Sequence, residues 1–173
     1  MNLETERLYI VDTPLHVIRR RLELAAFEAE VRTVAGLFPV WFPPEWPGDP
    51  LAAFSDWAEQ YVPGAPQRGG TLIRRADLTA IGMIGDKGDP GPEGDLDIGY
   101  GLNPEAWNSG YATEALRALL PHWLATPGVR RVTAETSVSN VASARVLEKC
   151  GFVRVGEDWD EDDGPLLLWA TVS

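Results

Sequence analysis

The stretch YGLNPEAWNSGYATE, Tyr100–Glu114, decides how the rest of the chain is interpreted. Its first residues end a strand pattern, a turn with a proline follows, and Ser109, Gly110, Ala112 and Thr113 open a helix with small side chains. The first backbone N–H groups of such a helix have no partner within it and point outwards. A phosphate accepts from several of them at once, and the helix dipole favours its charge. The residues alone therefore predict an anion site, with an ordinary strand-to-helix turn as the alternative.

Strand and helix patterns alternate on both sides of this stretch, and their order predicts an α+β fold. Apolar residues at helical spacing indicate helices, and short runs bounded by Gly, Asp and Pro indicate antiparallel strands. The predicted helices are Pro14–Glu30, a short stretch near Val31–Leu37, Leu51–Tyr61, Thr113–Thr126 and Asn140–Cys150, the last with an asparagine cap. The predicted strands are Arg7–Val11, Thr71–Asp77, Thr79–Gly85, Leu96–Leu102, Arg131–Thr136, and a closing hairpin of Phe152–Val155 with Leu166–Val172. Val40–Pro50, rich in Pro and Trp, is predicted to be a loop.

Length and charge narrow the class of protein. The 173 residues suit one domain spanning 1–173. A net charge of −11 fits nucleic acid or an anionic membrane poorly and favours cationic substrates such as amines. No apolar run reaches the roughly 20 residues that cross a bilayer, and the opening MNLETERL lacks an apolar stretch, so we expect a cytoplasmic protein without a signal peptide. The single Cys150 excludes an internal disulfide and a cysteine cluster, and we expect no metal site.

Residues 107–115, WNSGYATEA, resemble the acetyl-CoA loop of the GNAT superfamily of N-acetyltransferases. The likeness is strongest to the ribosomal-protein (RimJ/RimL-type) branch, whose loop commonly reads W-G-K-G-Y-A-T-E-A. Gly110 and Ala112 match this pattern, while Asn108 and Ser109 replace its glycine and lysine.

Other parts of the chain resemble the same branch. NVASARVLEKCGF, at Asn140–Phe152, is similar to its N-x-x-S…V-L-E-K-x-G-F helix. ETERLYI and DIGYGL resemble two of its strands, T-x-R-L-x-L and E-I-G-Y-x-L. The segment from Gly36 to Arg68 matches no family pattern, and such enzymes usually vary there to suit their substrates.

The resemblance implies a GNAT-type fold with acetyl-CoA as co-substrate. Such a fold has a mixed, mostly antiparallel twisted sheet flanked by helices, and two central parallel strands splay apart to admit the cofactor. Those strands would be Leu96–Leu102 and Arg131–Thr136. The implied cofactor-binding residues are Tyr100, Gly101 and Leu102 at the pantetheine arm; Asn108, Ser109, Gly110, Tyr111, Ala112 and Thr113 at the pyrophosphate; and Asn140 and Ser143 at the amide arm and the thiol.

The resemblance also implies a mechanism, the direct attack of a primary amine on the thioester in a ternary complex. A carboxylate near the splay is the expected base, and the candidates are Asp97 and Glu135. Asp97 ranks first because the branch often has glutamate there; the alternative is that both only satisfy surface strand positions. Leu147 stands where many members carry a general-acid tyrosine, and Ser143 is the substitute that the branch suggests.

Three functions follow from these patterns. The first is an N-acetyltransferase, monomeric or homodimeric, whose acceptor is a protein N-terminus or a small-molecule amine. The alternative is a non-catalytic sensor or assembly module that binds CoA or acyl-CoA. A nucleotide-binding α/β protein fits the loop alone but is disfavoured, because neither G-x-G-x-x-G nor G-x-x-x-x-G-K-[ST] occurs. The aromatic residues of VWFPPEWP are expected either to line an acceptor pocket or to pack in the core.

Overall fold

A computed structural model of the chain describes residues 1–65 and 69–172. Residues 66–68 and 173, which belong to the predicted domain 1–173, lie outside the described residues, and so does the end of the predicted variable segment. The described chain divides into two compact units. The first contains residues 1–85 and 100–111, and the second contains residues 86–99 and 112–172.

The described residues form strands and helices in a mixed order. The strands are β1 (Asn2–Glu4), β2 (Leu8–Asp12), β3 (Phe27–Thr33), β4 (Gly36–Phe42), β5 (Gly70–Arg74), β6 (Thr79–Asp86), β7 (Asp95–Leu102), β8 (Arg131–Ser137), β9 (Phe152–Asp160) and β10 (Gly164–Thr171). The α-helices are α1 (Leu15–Glu23), α2 (Phe54–Glu59), α3 (Tyr111–Leu124) and α4 (Val141–Lys149), with 3₁₀ turns at Asp49–Ala53 and Pro104–Ala106. No helix within residues 1–65 and 69–172 is both long enough and apolar enough to span a bilayer.

The first unit is built on antiparallel pairs of strands. Strand β2 lies between β1 and β5, and β5 in turn pairs with β6. Strands β3 and β4 form a hairpin that joins β6 through one parallel pair, Trp41 with Thr79. The core of this unit centres on Trp46, whose ring is fully buried and lies edge-on to Phe42 at 4.7 Å and to Phe54 at 5.6 Å. The ring nitrogen of Trp46 donates to the carbonyl of Gly82 at 3.2 Å.

The second unit contains the parallel pairing of β7 with β8. Asp95 through Ile98 of β7 pair with Arg131 through Ala134 of β8. Antiparallel β10 follows β8, and β9 forms a hairpin with β10. The prediction of a mixed α+β fold with a mostly antiparallel sheet, in which β7 and β8 run parallel, is confirmed.

The prediction of one long helix over Pro14–Glu30 is wrong. Helix α1 ends at Glu23, and the chain then enters strand β3. In β3 the burial alternates with every residue, because Phe27, Ala29 and Val31 face the core while the residues between them are exposed. This period of two is the strand periodicity, and it outweighs the helical spacing that Leu22 suggested. Leu22 is 44% exposed.

The helix predicted near Val31–Leu37 is also replaced by a strand, since β3 turns directly into β4. Strand β4 extends to Phe42, so the predicted loop starts later than expected. Phe42 and Trp46 are fully buried in the core cluster, whereas Trp41 is 44% exposed. Of the two expectations for the aromatic residues of this segment, an acceptor pocket or core packing, Phe42 and Trp46 follow the second.

We predict that Trp46→Ala lowers the free energy of unfolding by about 3–5 kcal/mol, because it empties a fully buried site and leaves the Gly82 carbonyl without its donor. The matched control is Trp41→Ala, which truncates the same residue type at a partly exposed position of β4 and should cost no more than about 1 kcal/mol. Urea unfolding followed by circular dichroism measures both. Equal costs for the two variants would contradict this account of the core.

Candidate active site

The turn that follows strand β7 is fixed by hydrogen bonds within the first unit. Asn103, at 3% exposure, donates from its side-chain amide to the carbonyl of Ala80 at 3.0 Å. Its backbone N–H donates to the carbonyl of Ile81 at 2.7 Å. The ring nitrogen of Trp107 then donates back to the carbonyl of Leu102 at 2.8 Å. Because these bonds connect β6, the end of β7 and the loop, they determine where the loop starts.

The loop before helix α3 twice adopts the left-handed backbone region. Asn108 has φ 58° and Gly110 has φ 81°. Glycine occupies this region freely, and asparagine tolerates it better than most residues. Tyr111 begins helix α3, so the N–H groups of residues 111–113 lie in the first turn, where the helix offers them no acceptor. A helix start of this kind can bind an anion.

Arg7 contacts this loop from a distant part of the sequence. Its Nη1 donates to the carbonyl of Ser109 at 2.8 Å, and its guanidinium carbon lies 4.2 Å from the centre of the Tyr111 ring. A Cβ built on Gly110 would lie 3.4 Å from Nη2 of Arg7, an ordinary contact distance, so the positive φ and not a lack of space favours glycine here. Sequence reasoning missed Arg7, although it stands in the ETERLYI segment, because that segment was compared only with a strand of the branch and no role was predicted for its side chains.

A cavity of about 390 Å³ lies beside Arg7 and is lined by Glu6, Arg7, Tyr9, Arg74, Arg75, Ala76 and Tyr111. Two of its arginines are ion-paired. Arg74 binds Asp77 at 2.8 Å and Glu105 at 3.2 Å, while Arg75 binds Glu4 at 2.9 Å. Because acidic partners balance these charges, the cavity is not a strongly cationic pocket.

The predicted pantetheine-binding residues form the last part of strand β7. The carbonyl of Leu102 is already taken by Trp107, and the carbonyl of Gly101 lies so close to Gly82 that a Cβ there would collide with it. Gly82 thus allows the close approach between β6 and this end of β7. Tyr100 is half-buried, and Gly101 is exposed.

The candidate base Asp97 has partners on both of its carboxylate oxygens. Lys87 Nζ lies 3.1 Å from one oxygen, and the hydroxyl of Thr133, its neighbour in the parallel pair, donates to the other at 3.2 Å. The stem of Lys87 crosses Gly99, where an added Cβ would lie 3.3 Å from its Cε. These contacts hold the side chain of Asp97 in one position.

The candidate base Glu135 lies further along β8 on the same face as Thr133, because exposed and buried residues alternate along this strand. Its side chain is exposed, and no hydrogen bond or ion pair of that side chain is observed within the described part of the chain. Asp97 and Glu135 therefore differ in their contacts: the first is held by neighbours, and the second is open to solvent.

The start of the parallel pair is anchored by an ion pair of two hydrogen bonds. Arg131 donates from Nε and Nη2 to the two oxygens of Asp95 at 2.6 and 2.9 Å. These hydrogen bonds hold the pKa of the Asp95 carboxyl below its usual range and raise that of Arg131. The anchor lies on the same face of the strands as Asp97 and Thr133.

Helix α4 carries the remaining candidates in the second unit. The side-chain oxygen of Asn140 accepts from the N–H of Ser143 at 3.2 Å, which confirms the predicted asparagine cap. Ser143 is half-buried in the first turn, and Leu147 is fully buried. At the other end of the helix, the Cys150 thiol contacts the carbonyl of Thr113 at 3.8 Å, and its burial raises its pKa.

The candidate residues fall into a group in each unit. In the first unit, the bond from Trp107 to Leu102 connects the pantetheine-arm candidates Tyr100, Gly101 and Leu102 to the loop candidates Asn108, Ser109, Gly110 and Tyr111. In the second unit, Asp97 and Glu135 lie on paired strands. Thr113, which follows Ala112 in α3, contacts Cys150 at the C-terminal end of α4. Asn140 and Ser143 lie at the N-terminal end of that helix. Within residues 1–65 and 69–172, no group of three or more His, Cys, Asp and Glu side chains is arranged to hold a metal ion.

The family model described as "Acetyltransferase (GNAT) domain" matches residues 21–153, most of the chain. The chain belongs to the GNAT acetyltransferase family. The matched range contains every candidate site residue from Asp97 to Ser143, whereas Arg7 lies outside it.

Individual relatives agree with this membership. The protein named Uncharacterized N-acetyltransferase YjdG, from Bacillus subtilis, is 32% identical over 82 residues, which cover 47% of this chain and 49% of the relative. The chain thus spans about half the length of the curated relatives that it matches.

Solved structures share the fold over the whole length. A GNAT acetyltransferase from Bacillus anthracis has a TM-score of 0.68 at 20% identity, covering 99% of this chain and 98% of its own. RimL, a ribosomal L7/L12 alpha-N-protein acetyltransferase in complex with coenzyme A, has a TM-score of 0.67 at 14% identity, covering 97% and 95%.

We predict that Gly110→Ala weakens CoA binding by this GNAT domain, because alanine at φ 81° strains the loop. Gly151→Ala is the matched control: Gly151 has φ 86°, and nothing lies within 4 Å of an added Cβ. Both variants should lose about 1–2 kcal/mol of unfolding free energy, measured with urea. Only Gly110→Ala should raise the Kd for CoA in isothermal titration calorimetry, and equal CoA affinity in the two variants would refute the loop assignment.

Proposed function

We propose that this GNAT domain is an N-acetyltransferase that moves the acetyl group of acetyl-CoA to a primary amine. The observation that carries the proposal is the loop before α3, in which Gly110 at φ 81° precedes a helix whose first N–H groups lack helical acceptors. The loop fits a pyrophosphate, because such N–H groups and the helix dipole bind phosphate oxygens without cationic side chains. Acetyl-CoA supplies the acetyl group as a thioester.

We assign the cofactor-binding roles along the chain as follows. The backbone of Asn108 to Thr113 holds the pyrophosphate, and the backbone of Tyr100, Gly101 and Leu102 lies along the pantetheine arm. Asn140 binds the amide arm through its side-chain nitrogen, since its oxygen is used in the helix cap. Ser143 lies near the thiol.

The acceptor must be deprotonated before it reacts, because an α-amine titrates near 8 and a lysine near 10.4, and both are largely protonated at neutral pH. A carboxylate takes this proton directly or through a water molecule. The nitrogen then attacks the thioester carbonyl carbon, the C–N bond forms and the C–S bond breaks. The nitrogen also loses a second proton as the amide forms, and the departing sulfur gains one. We propose that the hydroxyl of Ser143 relays this proton, giving its own to the sulfur and taking the one from the nitrogen, because Leu147, at the tyrosine position, is fully buried and has no proton to give.

The contacts of the two carboxylates favour Glu135 over Asp97 as the base. Both oxygens of Asp97 have partners, Lys87 at 3.1 Å and Thr133 at 3.2 Å, and a proton taken from the amine would neutralise the carboxylate of the ion pair with Lys87. Glu135 is exposed and can receive a proton without losing such a contact. In this scheme Asp97 orients the strand pair, and Glu135 accepts the proton.

The acceptor is a protein N-terminus or a small-molecule amine, and the RimJ/RimL-type branch favours the former. The sequence motifs of that branch support this assignment. The net charge of −11 favours a cationic acceptor over an anionic one. We propose that the protein acts as a monomer or a homodimer, without nucleic acid.

A non-catalytic CoA-binding module is the second candidate. The buried Leu147 at the tyrosine position and the ion-paired Asp97 favour it, because neither group is available to move a proton. Such a module would bind CoA and acetyl-CoA through the same loop but would release no thiol in the presence of any amine.

We predict that Glu135→Gln lowers kcat about 10²–10⁴-fold and leaves the Kd for CoA unchanged, because it removes the proton acceptor and no cofactor contact. Asp97→Asn should lower kcat less, since it only loosens the strand pair. Release of free CoA is measured with a thiol reagent and a panel of amines: an N-terminal peptide, a polyamine and an aminoglycoside. Glu28→Gln, at an exposed position of β3, is the control and should keep full activity.

Two results would contradict this assignment. Unchanged turnover in Glu135→Gln and in the double variant with Asp97→Asn would exclude a carboxylate base at these positions. CoA binding without thiol release from the wild type, for every amine in the panel, would identify the non-catalytic module.

A further inference from the structure

Arg7 contacts the loop residues on both sides of Gly110. Its Nη1 donates to the carbonyl of Ser109 at 2.8 Å, and its guanidinium covers the ring of Tyr111 at 4.2 Å. The two residues that it holds are the immediate neighbours of the glycine at φ 81°. The contact joins parts of the first unit that lie 102 residues apart in the chain.

The bond to Ser109 also determines where the N–H of Gly110 points. The carbonyl of Ser109 and the N–H of Gly110 belong to one planar trans peptide, in which they point in opposite directions. A guanidinium that fixes this carbonyl therefore aims the N–H of Gly110 away from itself. Rotation of this peptide is otherwise easy, because glycine restricts its own φ very little.

We propose that Arg7 is a positioning residue for cofactor binding: it fixes the Ser109–Gly110 peptide so that its N–H is already directed at the pyrophosphate before acetyl-CoA binds. The inference rests on the proposed function, because it names how that same loop is organised. Preorganised donors bind an anion more tightly than donors that must first be ordered. Arg7 also places a positive charge next to Ser109, the uncharged residue that stands in place of the lysine of the family loop.

Arg75 provides a matched control in the wall of the same cavity. Like Arg7, it donates to backbone carbonyls, those of Thr5 at 2.7 Å and Glu6 at 3.0 Å. Its guanidinium carbon likewise lies over a tyrosine ring, that of Tyr9, at 5.2 Å. Arg75 thus makes the same kinds of contact as Arg7, but with the segment before β2 instead of the loop.

The test compares Arg7→Gln, Arg75→Gln and the wild type with two ligands. CoA carries the pyrophosphate, and its Kd is measured by isothermal titration calorimetry. Pantetheine keeps the thiol arm but lacks the pyrophosphate, and its weak binding is measured from backbone amide shifts in NMR. We expect Arg7→Gln to weaken CoA binding about tenfold, equivalent to about 1.4 kcal/mol, and to leave pantetheine binding unchanged. Arg75→Gln should bind both ligands like the wild type.

Each other outcome has one meaning. If Arg7→Gln weakens CoA and pantetheine equally, or if Arg75→Gln weakens CoA as much, the effect is general damage to the first unit and the positioning role is wrong. If the wild type binds CoA and Arg7→Gln binds it equally well, the positioning role fails while the proposed function stands. If the wild type does not bind CoA at all, the proposed function itself fails.

Discussion

Asn103 is the constraint on which the proposed cofactor loop depends. Its buried side chain and its backbone N–H both bind carbonyls of β6, so the point where β7 ends cannot shift along the sheet without breaking two hydrogen bonds. A buried amide that loses its partners costs more free energy than the bonds contribute when they are made. Next to this fixed end, Trp107 donates to the carbonyl of Leu102, and the left-handed residues Asn108 and Gly110 come next in the loop. The segment that leads into helix α3 is therefore anchored to strand β6.

The two ends of the proposed chemistry are organised by different forces. The loop relies on backbone dipoles and on a glycine conformation, with Arg7 supplying a fixed cation against the carbonyl of Ser109. The strand pair β7–β8 relies on charged side chains: Arg131 with Asp95, and Lys87 with Asp97. A polar face of this kind leaves Glu135 as the carboxylate open to solvent on those strands.

Local patterns in the sequence were enough to predict the elements around the loop. The small residues before Tyr111 and the asparagine before α4 act on their own neighbours, so the helix starts and the cap at Asn140 could be predicted from short segments. Periodicity failed at Phe27–Thr33, where Leu22 and Ala25 suggested a continuing helix although the residues beyond them alternate as in a strand.

Long-range contacts could not be predicted in the same way. The bond of Arg7 to Ser109 and the ion pair of Lys87 with Asp97 depend on which strands become neighbours, and no spacing within a motif encodes this. The resemblance to the branch ranked Asp97 above Glu135, and the contacts of Asp97 favour the reverse order. The family match covers most of the chain and is not limited to the loop motif. The geometry of the loop itself is what supports a cofactor role.

The central claim is that the loop before α3 binds CoA, and the most direct measurement is the melting temperature of the wild type with acetyl-CoA, CoA or ATP. A ligand at about a hundred times its Kd adds roughly 2.7 kcal/mol of stability, which for a chain of this size is a rise of roughly 5–10 °C. We predict this rise with acetyl-CoA and with CoA, and none with ATP. No rise with either CoA compound at millimolar concentration, or an equal rise with ATP, would contradict CoA binding by this loop.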